Sequence, residues 1–249
     1  MSTILEVIDL ETQFKTDDKF VKAVDKISFT LNRGETLGIV GESGSGKSVS
    51  VFSIMRLIPD PPGKITGGKI FYDSKDSGRV DLLSITEKQM LHYRGNEISM
   101  IFQEPMTSLN PVFRCGEQVV EAIELHQKVS HQEAKERTLN LFNEVKLPNP
   151  ERIFQAYPHQ LSGGQKQRVM IAMAMSCNPH ILIADEPTTA LDVTVQATIL
   201  DLMRQLRDEI GMSIIFITHD LGVIGEIADK VAVMSKGKIV EQGTTLDIY

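Results

Sequence analysis

Two stretches of this sequence have the residue types and spacing to hold phosphate: Gly41-Glu42-Ser43-Gly44-Ser45-Gly46-Lys47-Ser48, and Leu161-Ser162-Gly163-Gly164-Gln165. The first fits the pattern GxxxxGK[ST]. Its glycines let backbone N–H groups turn inward on an anion, its lysine reaches the β- and γ-phosphates, and its serine hydroxyl ligates Mg²⁺. Gly41, Ser43, Gly44, Ser45, Gly46, Lys47, Ser48 and Val49 are therefore candidate nucleotide contacts, with Ser48 also a metal ligand and Lys47 a stabiliser of transition-state charge. The competing account is a flexible Gly/Ser turn with an accidental Lys-Ser. It fits poorly, because a short apolar run, Thr36 to Val40, precedes the loop and helical periodicity follows it.

A metal ion at such a site needs a second anchor. Ile181-Leu182-Ile183-Ala184-Asp185-Glu186 supplies one, an apolar strand that delivers a carboxylate at its C-terminal end, where open α/β sheets bind ligands. Asp185 would hold Mg²⁺, through water, because this ion gives up its hydration reluctantly. Glu186 would then polarise the attacking water. Alone, an apolar run ending in Asp-Glu reads as a solvated strand end; the glycine loop in the same chain reverses that reading.

The second cradle opens a helix. Ser162 is a natural N-cap, Gly163 and Gly164 let an anion approach, and Gln165 to Met175 continues with helical periodicity. A plain capped turn explains the backbone but not the pairing with a P-loop. The helical stretch between the two cradles argues against both holding one phosphate within a monomer. Two copies packed head to tail would let each Leu161–Gln165 turn close over the γ-phosphate held by the other chain.

The elements that must position these groups read as follows. Ile4 to Phe14 and Val24 to Leu31 alternate as strands, and Thr36 to Val40 is a buried one. Lys47 to Ile58 is helical, stopping before Pro59, and Lys69 to Tyr72 and Ile98 to Phe102 are further strands. Gly116 to Gln127 and Ser130 to Val145 are helices, the second with Ser130 and Glu133 spaced as a capping box. Strands return at Ile181 to Ala184, Ser213 to Thr218, Lys230 to Met234 and Lys238 to Glu241, with a helix at Val193 to Ile210. Strands alternating with helices imply an α/β fold whose mostly parallel sheet is covered on both faces, with the central helical stretch as a smaller lobe.

Composition narrows the classes. The 249 residues suit one domain, and a net charge of −7 leaves no overall basic footprint for nucleic acid. No run approaches the ~18 apolar residues of a membrane span, and the N-terminus lacks the basic flank and apolar core of a signal peptide. The chain is expected to be cytoplasmic, meeting any membrane through another protein. Cys115 and Cys177 belong to no metal-spaced cluster and read as buried fillers in a reducing compartment.

Leu161–Gln165, the glycine loop, the Asp185-Glu186 pair and a later Thr218-His219 together resemble the nucleotide-binding subunit of ABC transporters, across essentially the whole chain. The resemblance implies a P-loop NTPase core of RecA type, at about residues 1–103 and 160–249. It also implies an N-terminal antiparallel β subdomain and an inserted helical subdomain at about 104–159. It implies ATP and Mg²⁺ as ligands and a head-to-tail dimer in which Ser162, Gly163, Gly164 and Gln165 touch the partner's nucleotide. Gln103 matches the glutamine that touches Mg²⁺ and water and links the site to the helical lobe. Ala190-Leu191-Asp192 matches the loop that crosses the dimer interface, and His219 matches the histidine that hydrogen-bonds the γ-phosphate. An aromatic before the P-loop should stack on adenine; Phe14 and Phe20 both qualify, and counting back from Ala23-Val24 favours Phe14.

Phe102 to Pro111 and Asp185 to Gln196 further resemble the ATPases of oligopeptide and dipeptide permeases, whose relatives also move nickel or glutathione. That group implies two membrane permease subunits, a second ATPase that is homologous or identical, an extracytoplasmic solute-binding protein acting indirectly, and a place on the cytoplasmic face of the membrane. Its members usually continue into a segment with a cysteine cluster able to hold iron and sulfur. The sequence here stops at Tyr249, before any such extension, so no cluster is expected in this chain. A non-transport ABC ATPase is the rival, but the coiled-coil insertions, tandem cassettes or basic surfaces of that class are missing from the sequence.

Overall fold

The structure is a computed structural model that describes residues 2–16, 19–103, 108–189 and 191–248. Contacts divide the chain into two compact units, residues 1–91 with 211–249 and residues 92–210.

The first unit carries an antiparallel sheet and the strand that leads into the glycine loop. β1 (Thr3–Lys15), β2 (Phe20–Asn32), β4 (Gly63–Ser74) and β5 (Gly78–Asp81) pair in the order β2-β1-β4-β5. Alternation is visible in burial along β2, where Ile27, Phe29 and Leu31 are buried and Ser28 and Thr30 face outward, while β1 buries Ile4, Leu5, Val7 and Leu10. β4 begins six residues before the expected Lys69, because the strand runs on through Gly67 and Gly68, where β1 takes up an extra residue between Ile8 and Glu11. Gly68 has φ +99°, and a Cβ there would lie 2.6 Å from Leu10 Cα, so only glycine lets β1 pass.

The other strands of this unit are β3 (Thr36–Val40), β8 (Ser213–Thr218), β9 (Lys230–Ser235) and β10 (Lys238–Thr244). β3 lies between β8 and β9, parallel to both, and β10 returns antiparallel on β9. β3 and β8 are buried along their whole length, which is why they read as continuous apolar runs. Helix α8 (Leu221–Ile227) packs against β3 at Gly38, where a Cβ would meet Ile224 Cδ1 at 2.7 Å.

Helix α1 (Lys47–Ile54) ends four residues before the expected Ile58. Arg56 adopts φ +51°, its N–H bonds Ser53 O and the Leu57 N–H bonds Phe52 O. This is a Schellman closure with arginine where glycine is usual, so the helix stops by its own backbone pairing and not at Pro59. α2 (Glu87–Tyr93) spans the boundary of the two units, and α9 (Thr245–Ile248) follows β10.

The second unit contains the parallel pair β6 (Ile98–Ile101) and β7 (Ile181–Asp185), with helices α3 (Cys115–His126), α4 (His131–Glu144), α5 (Pro150–Gln155), α6 (Gly163–Met175) and α7 (Val193–Ile210). α3 lies against α5 so closely that a Cβ at Gly116 would sit 2.2 Å from the Phe154 ring. Ser130 caps α4, its hydroxyl accepting the Glu133 N–H at 3.2 Å. α6 packs on β6, and its Arg168 donates to Val145 O at 2.6 Å, tying it to the end of α4.

Candidate active site

In the first unit, Val40 pairs with Thr218 and with Val233, so Gly41 and His219 leave the parallel strands at the same level. The loop that follows is built around close approach. A Cβ at Gly41 would lie 2.2 Å from Met234 O, and one at Gly46, which has φ +103°, would lie 2.4 Å from Ala23 O. The Gly237 N–H donates to Ser45 O at 2.9 Å, so β2 and the β9–β10 turn clamp the loop from below. Gly46 serves as N-cap of α1 without any side-chain cap, so the helix opens directly on the glycine loop, where its dipole favours an anion.

Lys47 is 95% removed from solvent, and its Nζ donates to Gly41 O at 2.7 Å and Glu42 O at 3.0 Å. The loop's own carbonyls thus hold the ammonium over the cradle. Ser45 Oγ is buried and has no hydrogen-bond partner, an orphaned donor in the glycine loop, which suits a phosphate oxygen. Ser48 and Val49 are half-buried on the first turn of α1, and Ser43 and Gly44 are exposed at the tip of the loop. The left-handed Gly44, φ +77°, makes that tip.

Phe14 and Phe20 occupy the same hairpin end but differ in use. Phe14 is half-buried, and a Cβ at Gly63 would lie 2.6 Å from its ring. Phe20, on β2, is 62% exposed. Phe14 pairs with Val21, two residues from the Ala23 carbonyl that abuts Gly46, so the hairpin end runs beside the glycine loop. His219 is exposed just beyond β8, and Asp220 begins α8 by accepting the Gly222 N–H at 2.8 Å.

In the second unit, Ile101 pairs with Ala184, so Gln103 and the Asp185-Glu186 pair emerge together from β6 and β7. Asp185 is buried at the strand end. Glu186 turns out of the sheet with φ +47°, a conformation that costs free energy in a residue with a Cβ and is tolerated where a side chain must be aimed. Its carboxylate Oε2 accepts Gln103 Nε2 at 3.1 Å and Thr189 Oγ1 at 2.9 Å. Sequence reading did not single out Thr189. The signal was a hydroxyl three residues after the acid, on a turn that only the positive φ at Glu186 creates.

Ser162 and Gln165 cap α6 reciprocally: Gln165 N–H to Ser162 Oγ at 3.3 Å, Ser162 N–H to Gln165 Oε1 at 3.0 Å. Gly163 and Gly164 face the start of α7, where their Cβ positions would lie 3.6 Å from Leu191 Cδ2 and 2.9 Å from Val195 Cγ1. Asp192 caps α7, its Oδ1 accepting the Val195 N–H at 2.9 Å. Ala190 of the expected interface loop, and residues 104–107 of the stretch after Gln103, lie outside the described residues. Cys115 and Cys177 are buried free thiols. Burial pushes the Cys115 thiol up to about 11, although the Lys166 charge pulls the other way.

Chemically, the first unit presents a phosphate cradle and the second an aimed carboxylate beside an amide. In the second unit the Gln103 side-chain carbonyl and the Asp185 carboxylate are hard oxygen donors of the kind Mg²⁺ takes; in the first, the Ser48 hydroxyl is another such donor and the orphaned Ser45 Oγ suits a phosphate oxygen.

Comparison with known proteins points the same way. A family described as "ABC transporter" matches residues 24–189. The chain is 53% identical over its full length to the oligopeptide transport ATP-binding protein OppD of Bacillus subtilis, spanning 68% of that protein. It is 51% identical over 246 residues to the glutathione import ATP-binding protein GsiA of Escherichia coli, spanning only 40% of it. Among solved structures, a dimeric ATP-binding cassette with ADP and Pi superposes with a TM-score of 0.85 at 27% identity, covering 97% of this chain and 99% of that one. A Clostridium perfringens component of the cbiONQ ABC transporter complex gives 0.80 at 27% identity, covering 100% and 91%.

Proposed function

Because the chain belongs to the ABC transporter family and is an ATP-hydrolysing cassette of it, we propose that it powers a membrane importer of oligopeptides or dipeptides. The observation that carries this reading is the Glu186 carboxylate, held at the end of β7 by Gln103 and Thr189 in a chain that also has a complete P-loop. The named relatives supply the cargo class: one is an oligopeptide transport ATP-binding protein, another a glutathione import ATP-binding protein, and glutathione is itself a tripeptide.

In the proposed cycle, Lys47, Ser45 and the backbone N–H groups of residues 41–49 bind the phosphates, and the Phe14 ring supports adenine. Ser48, Gln103 and Asp185 would hold Mg²⁺, which would supply charge neutralisation for the transferring phosphoryl group. Glu186 accepts a proton as water oxygen attacks the γ-phosphorus and the bond to the bridging oxygen breaks, leaving ADP and phosphate. His219 hydrogen-bonds the γ-phosphate, and Ser162 to Gln165, with Asp192 nearby, close on the nucleotide of a second cassette packed head to tail. Gln103, tied to Glu186 at one end and leading toward the helical stretch at the other, transmits closure to two membrane permeases on the cytoplasmic face. An extracytoplasmic binding protein delivers solute to them.

The test is purification of the full-length protein from its native membrane with identification of the co-purifying chains. Two permeases, a sibling ATPase and a peptide-binding protein support the importer. Soluble or nucleic-acid-bound partners alone would leave the ATPase standing and sink the transport role.

A further inference from the structure

At the ends of β6 and β7 opposite to Gln103 and Asp185, two imidazoles converge on one buried carboxylate. Glu97 directly precedes β6, His180 directly precedes β7, and His92 lies in the last turn of α2. His92 Nε2 stands 3.4 Å from Glu97 Oε1, and His180 Nδ1 stands 3.6 Å from Glu97 Oε2. The Glu97 side chain is 7% exposed against 29% for His180 and 53% for His92, so the carboxylate is the floor of a site that opens to solvent at the rings.

The separations point to the chemistry. An N–H···O hydrogen bond runs about 2.7–3.2 Å, and a charge-assisted one is shorter still. Both distances here are longer. Two ligands bound at about 2.0–2.2 Å to one Zn²⁺ at tetrahedral angles stand roughly 3.3–3.6 Å apart, which matches both. Imidazole nitrogen with carboxylate oxygen is a donor set this ion takes, and the exposed side of the rings leaves a position for water.

The carboxylate is held in place by its backbone. The Glu97 N–H donates to Tyr93 O at 3.0 Å, and Glu97 O accepts the N–H of His180 at 2.8 Å and of Ile181 at 3.2 Å. Two of the three donors are thereby fixed relative to each other. Gly95, at φ +75°, makes the turn between His92 and Glu97, and its N–H donates to Ile98 O at 2.9 Å. The His126 ring packs against that turn so closely that a Cβ at Gly95 would lie 2.7 Å from its Nε2. His131 and Glu124 offer a contrast elsewhere in the unit: one imidazole on one carboxylate, at a hydrogen-bond distance of 3.1 Å.

We propose that His92, Glu97 and His180 form a zinc site that staples the end of α2 to the starts of β6 and β7. It lies at the other end of these strands from the Mg²⁺ donors Gln103 and Asp185, and it does not rest on the importer reading.

The test is a titration of zinc chloride into the full-length protein, stripped of metal and without nucleotide, in competition with a chromophoric chelator. One Zn²⁺ per chain should bind, and the thermal midpoint should rise with zinc, because the ion binds the folded state. His92→Ala and His180→Ala should each weaken binding at least about tenfold, since loss of even an outer-shell partner costs about 10- to 100-fold. Both should also abolish the zinc-dependent rise, and His131→Ala should leave binding and rise unchanged. No stoichiometric binding by the unsubstituted protein, or an affinity within about twofold of it in either His92→Ala or His180→Ala, would overturn the inference. If a variant does not fold, the imidazole resonances of the unsubstituted protein with isotope-labelled histidine give the second reading. Zinc should shift those of His92 and His180 and spare that of His131, and a failure to move either of the first two overturns the site.

Discussion

Two helix beginnings in this chain face the problem of presenting unpaired N–H groups, and they solve it by different means. At α1 the work is done by backbone: Gly46 has no capping side chain, the loop curls through left-handed glycines, and neighbouring carbonyls of Ala23 and Met234 leave no room for a Cβ. At α6 it is done by side chains, Ser162 and Gln165 capping each other's N–H groups. The backbone solution leaves no side chain over the helix start and fixes the cradle rigidly, which suits an anion bound within one chain. The side-chain solution satisfies the helix while alone, and those caps can be released when a ligand arrives from elsewhere. On the proposed head-to-tail reading, the first end is a finished site and the second a surface awaiting a partner.

The comparison can be broken at several points, and the widest separation should come from chemistry. Glu186→Gln should lower turnover by about 10²- to 10⁴-fold, the range for a lost general base, while ATP binding persists and the dimer accumulates. Lys47→Ala should instead weaken ATP binding itself, by roughly 10- to 100-fold for loss of a charge-assisted contact, read by equilibrium titration. If both variants lost binding equally, the division between cradle and base would be wrong.

Next in size is Gly46→Ala. A methyl 2.4 Å from the Ala23 carbonyl, at φ +103°, should cost about 1–3 kcal/mol of stability and distort the cradle, measured by denaturant unfolding and ATP titration together. Ser162→Ala should cost only about 1 kcal/mol, the usual value of an N-cap, with ATP affinity of the monomer unchanged. Equal effects from the two would erase the distinction between a backbone-built and a side-chain-built helix start.

The smallest effect concerns pH. The Cys115 thiol is pushed from an ordinary 9 to about 11 by burial, so the folded state keeps its proton where the unfolded chain loses it. The associated stability is fully present below pH 9 and is lost as pH rises through about 11. Alkylation of Cys115 at pH 8 should accordingly be slow in the folded protein and fast in denaturant. Rapid modification of the folded chain would place Cys115 nearer solvent than the buried start of α3 allows.

How much of this was legible beforehand depended on whether the signal was local. β3 and the loop after it were readable because a fully buried strand is a continuous apolar run and the glycines follow at once. Helix α7 was likewise readable end to end, from Val193 to Ile210, because its stripe of Ile199, Leu202, Met203 and Leu206 is regular. The early end of α1 was not, since Arg56 in a glycine-like conformation carries no sequence signature. β4 reads short because Gly67-Gly68 serves β1, more than fifty residues away in sequence. The grip of Gln103 and Thr189 on Glu186 joins residues 83 apart through strand pairing and a left-handed turn, and neither is written in the run Ile181 to Glu186.

That left-handed turn bears on how such a chain drifts over generations. Glycine or asparagine at position 186 would relax the φ of +47°, recovering roughly 1 kcal/mol that glutamate gives up. Selection for folding therefore does nothing to preserve the acid and mildly favours its loss. On the proposed role of Glu186 as base, only the requirement to turn over ATP retains it. In paired cassettes where one chain can carry the hydrolysis for both, this is a position at which an inactive copy can arise without any penalty in abundance, and its sequence would record which member of the pair is still working.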